Sequence, residues 1–367
     1  MKSAPVAHTP EIAKKSWLKE AFPVPRLLLP SPVSIDVSDG ILRYIEFSRS
    51  RGDLRPKAFG TRPFPRFHAG EGDEKAREEA VKALQAWSVE TGHKSVHGII
   101  HEDETYAFKL TLPIARRSGI REAIESLLEE NVPIPPSETV FEYDILKEDS
   151  KIKETQVAVA AISEKSLREY LEIFSEAGLS LISLETESRA AAKALFPKGD
   201  AGVHAVLSIS PRHSVAFVVM RGAVVFSSSI PVGSIDLDRA IAKTLGVTEG
   251  EAAKLKAEKA GGEHEESAKL FEAMLPVLST IRDELGKVLV YWKTQGRKER
   301  DFKDIEDICL IGKDSVVAGF ARYISVTSRL PARQGDVWTN VLSAELSLPD
   351  LHRDDSLDYA ALIGTLI

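Results

Sequence analysis

Hydrophobic and polar residues follow a period of two in some stretches of the chain and a helical period in others, and the two kinds of stretch recur in order. From Val33 an apolar run carries one carboxylate, Asp36, breaks at Ser38-Asp39-Gly40 and resumes as an alternating strand through Leu42, Tyr44 and Phe47. The proline-interrupted "RPKAFGTRPFP" follows as an edge strand. The spacing of Ala76, Ala80, Ala83, Leu84 and Trp87 then predicts a helix over about 73–91 that packs on a sheet, and "KSVHGII" returns to strand.

Residues 105–182 give strand, helix, two strands, helix and strand, a β-α-β-β-α-β order resembling a split βαβ module. Its second helix has Ser163 as N-cap and Gly178 where a C-terminal glycine belongs. After "TESRAAAKALF", the opening pattern returns in "HAVLSISPRHSVAFVVMRGAVVFSSSIPVG", with a turn at Ser210 to His213. Two β-meanders, each followed by helices, predict duplicated halves facing each other. A helical insertion from about Asp236 to Arg297, the strand "DICLIG", a helix near "VVAGFARYIS" and the helix "SLDYAALIGTLI" complete the pattern.

A chain of 367 residues exceeds one ordinary core and fits two domains or a two-lobed body with a cleft. The 43% hydrophobic and 28% charged content is that of a globular protein, and a net charge of −7 argues against a protein built to bind nucleic acid. The single cysteine, Cys309, excludes an intrachain disulfide, fits a reducing compartment and reads as core. The opening residues show no apolar h-region before a small-residue cleavage site, and no run reaches the roughly 18 apolar residues of a membrane span. The expectation is a cytoplasmic protein without direct membrane insertion. Residues 1–32 read as a proline-rich arm, "GGEHEE" as an exposed loop, and "KTQGRKERDFK" as a solvated helix end.

Candidate chemistry starts at Ser38-Asp39-Gly40. Asp-Gly between alternating segments predicts a hairpin with a tight primed turn, in which Gly40 takes positive φ. The same turn, with Asp36 at the strand end, makes an anion nest able to hold nucleotide phosphate while the acid orients a hydrated Mg²⁺. Both readings stand together. P-loop, zinc-protease, hydrolase-elbow and paired-cysteine motifs are absent, and Glu142 and Asp144 on one strand read as solvent-facing.

The stretches "SIDVSDGILRYIEF", "REAIESLLEENVPIPPSETVFEYDIL", "VAVAAISEKSLREYLEIFSEAGLSLISLETESRAAAKALF", "SSSIPVGSIDLDRAIAKTLGVTEGEAAKLK" and "DICLIGKDSVVAGF" carry a resemblance. In order over about residues 33–367, the chain resembles the PilM family of type IV pilus assembly, related to FtsA and more distantly to actin. The resemblance implies an α/β, actin-like two-lobed fold of the duplicated ribonuclease H type, with four subdomains around a cleft. Their bounds follow as 33–104 plus 183–200 and 354–367 (1A), 105–182 (1C), 201–234 plus 305–353 (2A) and 235–304 (2B).

The resemblance also implies an ATP and Mg²⁺ cleft. Asp36 matches the acid of the first phosphate motif and the metal position, and Arg43 its basic residue, with Ser38, Asp39 and Gly40 in the turn. In the second motif Ser208 stands where the family has an acid and Ser210 where it has glycine. Gly312 matches the adenosine motif, whose second glycine is Lys313, and Lys256 matches a lysine near the nucleoside whose preceding acid is Ala253. Losing the second carboxylate and adding Cβ atoms near phosphate imply slow or absent hydrolysis, and Arg43, Arg212 and Lys313 are the cations left to hold an anion.

Three functions follow. The first is a cytoplasmic scaffold at the inner face of the membrane that binds the N-terminal peptide of a PilN-like inner-membrane protein, in a groove between 1A and 1C, with other pilus assembly proteins as further partners. The second is an actin-like ATPase or kinase relative, and the third an FtsA-like filament component. Ser208 speaks against the second, and the absence of a membrane-targeting helix beyond "SLDYAALIGTLI" against the third.

Overall fold

The computed structural model describes residues 32–50, 53–113, 117–259, 265–296, 302–341 and 351–367. The expected arm, most of "GGEHEE" and the middle of "KTQGRKERDFK" lie outside the described residues.

Two five-stranded sheets share one strand order. In the first, β1 (Val33–Asp36), β2 (Ile41–Ser50) and β3 (Asp53–Pro63) form an antiparallel meander, and β4 (Ser95–Ile100) and β8 (Ser180–Thr186) extend it in parallel beyond β1, giving β3-β2-β1-β4-β8. In the second, β9 (Val203–Ile209), β10 (Ser214–Met220), β11 (Ala223–Ile230), β12 (Asp307–Ile311) and β13 (Ala332–Gln334) repeat this as β11-β10-β9-β12-β13. The duplicated halves expected from the repeated meander are therefore present. β1 and β9 are equivalent central strands, so the turns that follow them occupy equivalent places.

Helices α1 (Glu74–Thr91) and α3 (Glu164–Glu176) cover the first sheet, closing a core of Ile35, Leu84, Trp87, Tyr170 and Phe174. Helix α4 (Glu187–Leu195) and the C-terminal α9 (Ala360–Gly364) pack in a core shared by both sheets, with Phe47 from one and Val206 and Phe217 from the other. Alanines 190, 191, 192 and 194 let neighbouring backbones close in on α4, and a Cβ at Gly364 would overlap the Ala190 carbonyl. Cys309 lies in this core, its thiol pKa pushed up by burial to about 12. Helices α5 (Ser234–Leu245), α6 (Glu249–Lys259), α7 (Glu265–Gly296) and α8 (Phe320–Ser328) pack on the second sheet.

A third sheet, β5-β7-β6, is built from β5 (Thr105–Leu112), β6 (Thr139–Asp149) and β7 (Glu154–Ser163), with α2 (Ile120–Asn131) packed on it through Ile120, Ile124 and Leu128. The expected six-element module is thus a four-element one. α3 begins at its Ser163 cap, as expected, but lies on the first sheet, and β8 pairs with β4. Periodicity specifies that a strand forms; its partner is chosen by the free edge of β4.

The Asp144 side chain is 45% exposed, as expected of a solvent-facing position, and its carboxylate pairs with Arg189 of α4 at 3.1 Å. His204 on β9 lies between Asp307, 2.6 Å from Nδ1, and Asp200, 2.8 Å from Nε2, and the Asp307 contact is the main cause of its raised pKa. A raised folded-state pKa contributes stability that is complete below about pH 6.5 and lost as pH rises through the folded value. His204→Gln is expected to flatten the pH dependence of the urea midpoint above about pH 6. An unchanged slope would show that the imidazolium is not what these carboxylates hold.

Candidate functional site

The first turn forms as its residues dictate. Asp39 and Gly40 have φ of 58° and 78°, and Ile41 N donates to the Ser38 carbonyl at 2.9 Å. Positive φ at both central residues is the primed hairpin turn, which Asp-Gly favours. That turn sets the register in which Asp36 faces Arg43 across β1 and β2.

Asp36 does not stand free. Its Oδ1 accepts from Ser38 N at 3.1 Å and its Oδ2 from Arg43 at 3.2 Å. Burial pushes its pKa up and Arg43 opposes the rise. Burial works equally against the charge of Arg43, but Asp358 and Asp36 outweigh it and hold the guanidinium pKa above its ordinary value. Glu187 and Asp358 line the same cavity.

Ser208 and Ser210 come from β9 and the turn after it. The Ser210 and Pro211 carbonyls accept from Ser234 N and Ile235 N at 3.0 and 2.9 Å. These are amides at the start of α5 that an anion would otherwise engage. The next residues reach across to the first turn: Arg212 N and Nε donate to Asp39 Oδ2 and its carbonyl at 3.3 and 3.2 Å, and His213 Nδ1 lies 3.1 Å from the Asp39 carboxylate. Arg212, expected as a free cation, is engaged by the opposite turn.

His101, after β4, lies over His213 with ring centroids 4.1 Å apart. Burial works against both charges. Asp103 and Asp39 override it at His101 and lift its pKa to about 11, and Asp39 with Glu187 lifts His213 to about 9. Burial would likewise raise Asp39, but the two imidazoles hold it far below the usual carboxylate range.

Gly312, at the end of β12, has φ of 87°, and a Cβ there would overlap the Ile209 carbonyl, so glycine is required for backbone packing. Lys313 N donates to Asp358 at 2.5 Å, and its Nζ pairs with Asp355 at 3.0 Å. Lys256 is buried, with Nζ 2.9 Å from both Asp238 and Asp314 and 2.7 Å from Ser234 Oγ. The acid missing at Ala253 is thus supplied from α5 and from the turn after β12.

These positions do gather around a cleft, with two unequal spaces. The space on the expected nucleoside side is about 450 Å³, lined by Lys256 and Lys313 but also by Asp238, Asp314, Asp355 and Asp358. The space on the expected phosphate side, bounded by Asp36, Arg43, Glu187, Ser208, Ser210 and Asp358, is about 30 Å³. That is about the volume of one water, and it presents three carboxylates to one guanidinium. In this conformation the residues do not fit a nucleoside triphosphate with Mg²⁺.

Sequence reasoning missed His101, Glu187 and Asp358. Glu187 was visible as the acid in the first turn of a capped helix, whereas His101 and Asp358 carried no local signal. A concavity of about 690 Å³ lies away from the cleft, between Lys109, Lys147 and Gln156 of the small sheet and Phe226, Tyr291 and Trp292.

Among solved structures, the PilM-PilN type IV pilus biogenesis complex aligns over 92% of this chain and 98% of that chain, with 18% identity and a TM-score of 0.71. Ethanolamine utilization protein EutJ from Carboxydothermus hydrogenoformans aligns over 94% and 92%, with 12% identity and a TM-score of 0.52. MreB5 of Spiroplasma citri bound to ADP aligns over 91% and 94%, with 12% identity and a TM-score of 0.54. These likenesses show the actin-like fold. Curated protein sequences give no match. The family of type IV pilus assembly protein PilM matches residues 34–364, from β1 into the last helix, and the chain belongs to that family.

Proposed function

We propose that the chain is a cytoplasmic scaffold of type IV pilus assembly, peripheral at the inner face of the membrane, that binds the N-terminal cytoplasmic peptide of a PilN-like protein. The observation that carries this reading is the family match over residues 34–364, which spans the small sheet as well as both halves. The likeness to a PilM solved with PilN supports the choice of partner. The peptide lies between the first sheet with its helices (1A) and the small sheet (1C), where an extended segment gains specificity from side-chain pockets. No helix of the described residues is long and apolar enough to cross a membrane, and in this reading the partner brings the chain to the membrane.

The cleft works as a lock between the halves, and nucleotide is not needed for the scaffold. Hydrolysis requires a carboxylate free to organise metal or water, and Asp36 is already paired with Arg43. Two outcomes test the reading. In fractionated cells the chain sediments with membranes when the PilN-like protein is intact and becomes soluble when that protein's cytoplasmic segment is deleted; retention without the segment contradicts the proposed partner. Millimolar ATP with Mg²⁺ leaves the thermal midpoint unchanged, although a ligand at 100 times its Kd adds about 2.7 kcal/mol. An upward shift abolished by Asp36→Ala would make the cleft a nucleotide site.

A further inference from the structure

Three side chains meet where the two turns touch. Asp39 lies in the first turn, His101 follows β4 of the same half, and His213 closes the second turn from the other half. One ligand atom from each lies within 4.8 Å of the others. His101 is 6% exposed, and its Nε2 lies 3.8 Å from Asp39 Oδ1 without a hydrogen bond among the described residues. A buried ring nitrogen aimed at a carboxylate, yet too far to bond it, is a costly arrangement in a native protein.

We propose that Asp39 Oδ1, His101 Nε2 and His213 Nδ1 bind one divalent transition-metal ion of the zinc type. Two observations beyond proximity support this. The unpartnered Nε2 of His101 gains a ligand bond. The other nitrogen of each ring faces a carboxylate, His101 Nδ1 that of Asp103 and His213 Nε2 that of Glu187 at 3.3 Å. Such outer partners fix the ring orientation of metal-ligating histidines and raise their basicity.

Two imidazoles and one carboxylate are a donor set for zinc, unlike the all-oxygen set of Mg²⁺. The site is therefore distinct from the metal position that the resemblance implies at Asp36. A fourth ligand position opens toward a cavity of about 250 Å³ lined by Arg66, Phe67, His68 and Ser229, with room for water. Because the ligands come from both halves, the ion clamps the seam where a nucleotide would otherwise bridge them.

The test uses the full chain, stripped with EDTA and dialysed, then titrated with Zn²⁺ by calorimetry and with Co²⁺ by visible absorption. The expected result is one equivalent bound, a four-coordinate Co²⁺ spectrum and a higher thermal midpoint. Asp103→Asn, at a half-exposed position that ligates nothing, is expected to weaken Zn²⁺ binding about 10- to 100-fold, and His213→Ala to abolish it. Should His213→Ala fail to fold, zinc-edge X-ray absorption on the unmodified chain decides, with two imidazoles expected in the first coordination sphere. No stoichiometric binding, fewer than two imidazoles, or undiminished affinity in a folded His213→Ala chain would overturn the site.

Discussion

Replacing Lys256 by methionine is expected to lower the unfolding free energy by about 3–5 kcal/mol, the usual cost of removing one partner from a buried ion pair. The ammonium is 7% exposed and 2.9 Å from both Asp238 and Asp314. Methionine fills much of the same volume, so the loss is electrostatic: two carboxylates are left facing each other without a cation. Burial already raises the pKa of Asp238 against the pull of Lys256, so without the lysine it takes up a proton more readily, and the deficit is smallest in acid and grows as pH rises above about 4. A lysine poised for a ligand would behave in the opposite way, since its replacement would leave stability near that of the parent and change only nucleotide affinity. Chemical denaturation of the two chains at two pH values separates the cases.

Arg43→Ala is expected to cost a similar amount, about 3–5 kcal/mol, because one guanidinium serves two partly buried acids. Burial pushes the pKa values of Asp36 and Asp358 up, and Arg43 is the main group opposing the rise at each. Without it both carboxyls are stranded beside Glu187 at the base of the cleft. Asp36→Asn on top of Arg43→Ala is therefore expected to recover part of the loss, and the double-mutant cycle to show a coupling of about 1–3 kcal/mol. Additive effects would mean that Asp36 and Arg43 act independently, which would reopen Asp36 as a free ligand.

Both predictions treat the cleft as a lock, and the sequence shows how far this could be foreseen. The repeated meander, the Ser38-Asp39-Gly40 turn and the Ser163 cap were legible because each rests on local physics: alternation, a backbone region open to Asp and Gly, a side chain satisfying a free amide. Even the facing of Asp36 and Arg43 follows from a two-residue turn. The attachment of β8 to β4, by contrast, depends on which strand edge is free once the chain has folded. The partners of Lys256 come from α5 and from the turn after β12, and His101 meets His213 only across the seam, so no short window of sequence contains either group. The departures at Ser208, Ser210 and Lys313 could only suggest a drifted nucleotide pattern. What they could not indicate was that the cleft had filled with its own ion pairs.

The central claim is that the chain holds a PilN-like peptide without help from nucleotide. It is tested most directly by calorimetric titration of the full chain with a synthetic peptide of that partner's cytoplasmic N-terminal segment, with and without ATP and Mg²⁺. The account predicts saturable one-to-one binding with the same Kd in both conditions and none to a scrambled peptide. Binding that appears only with nucleotide, or no binding at all, would contradict it.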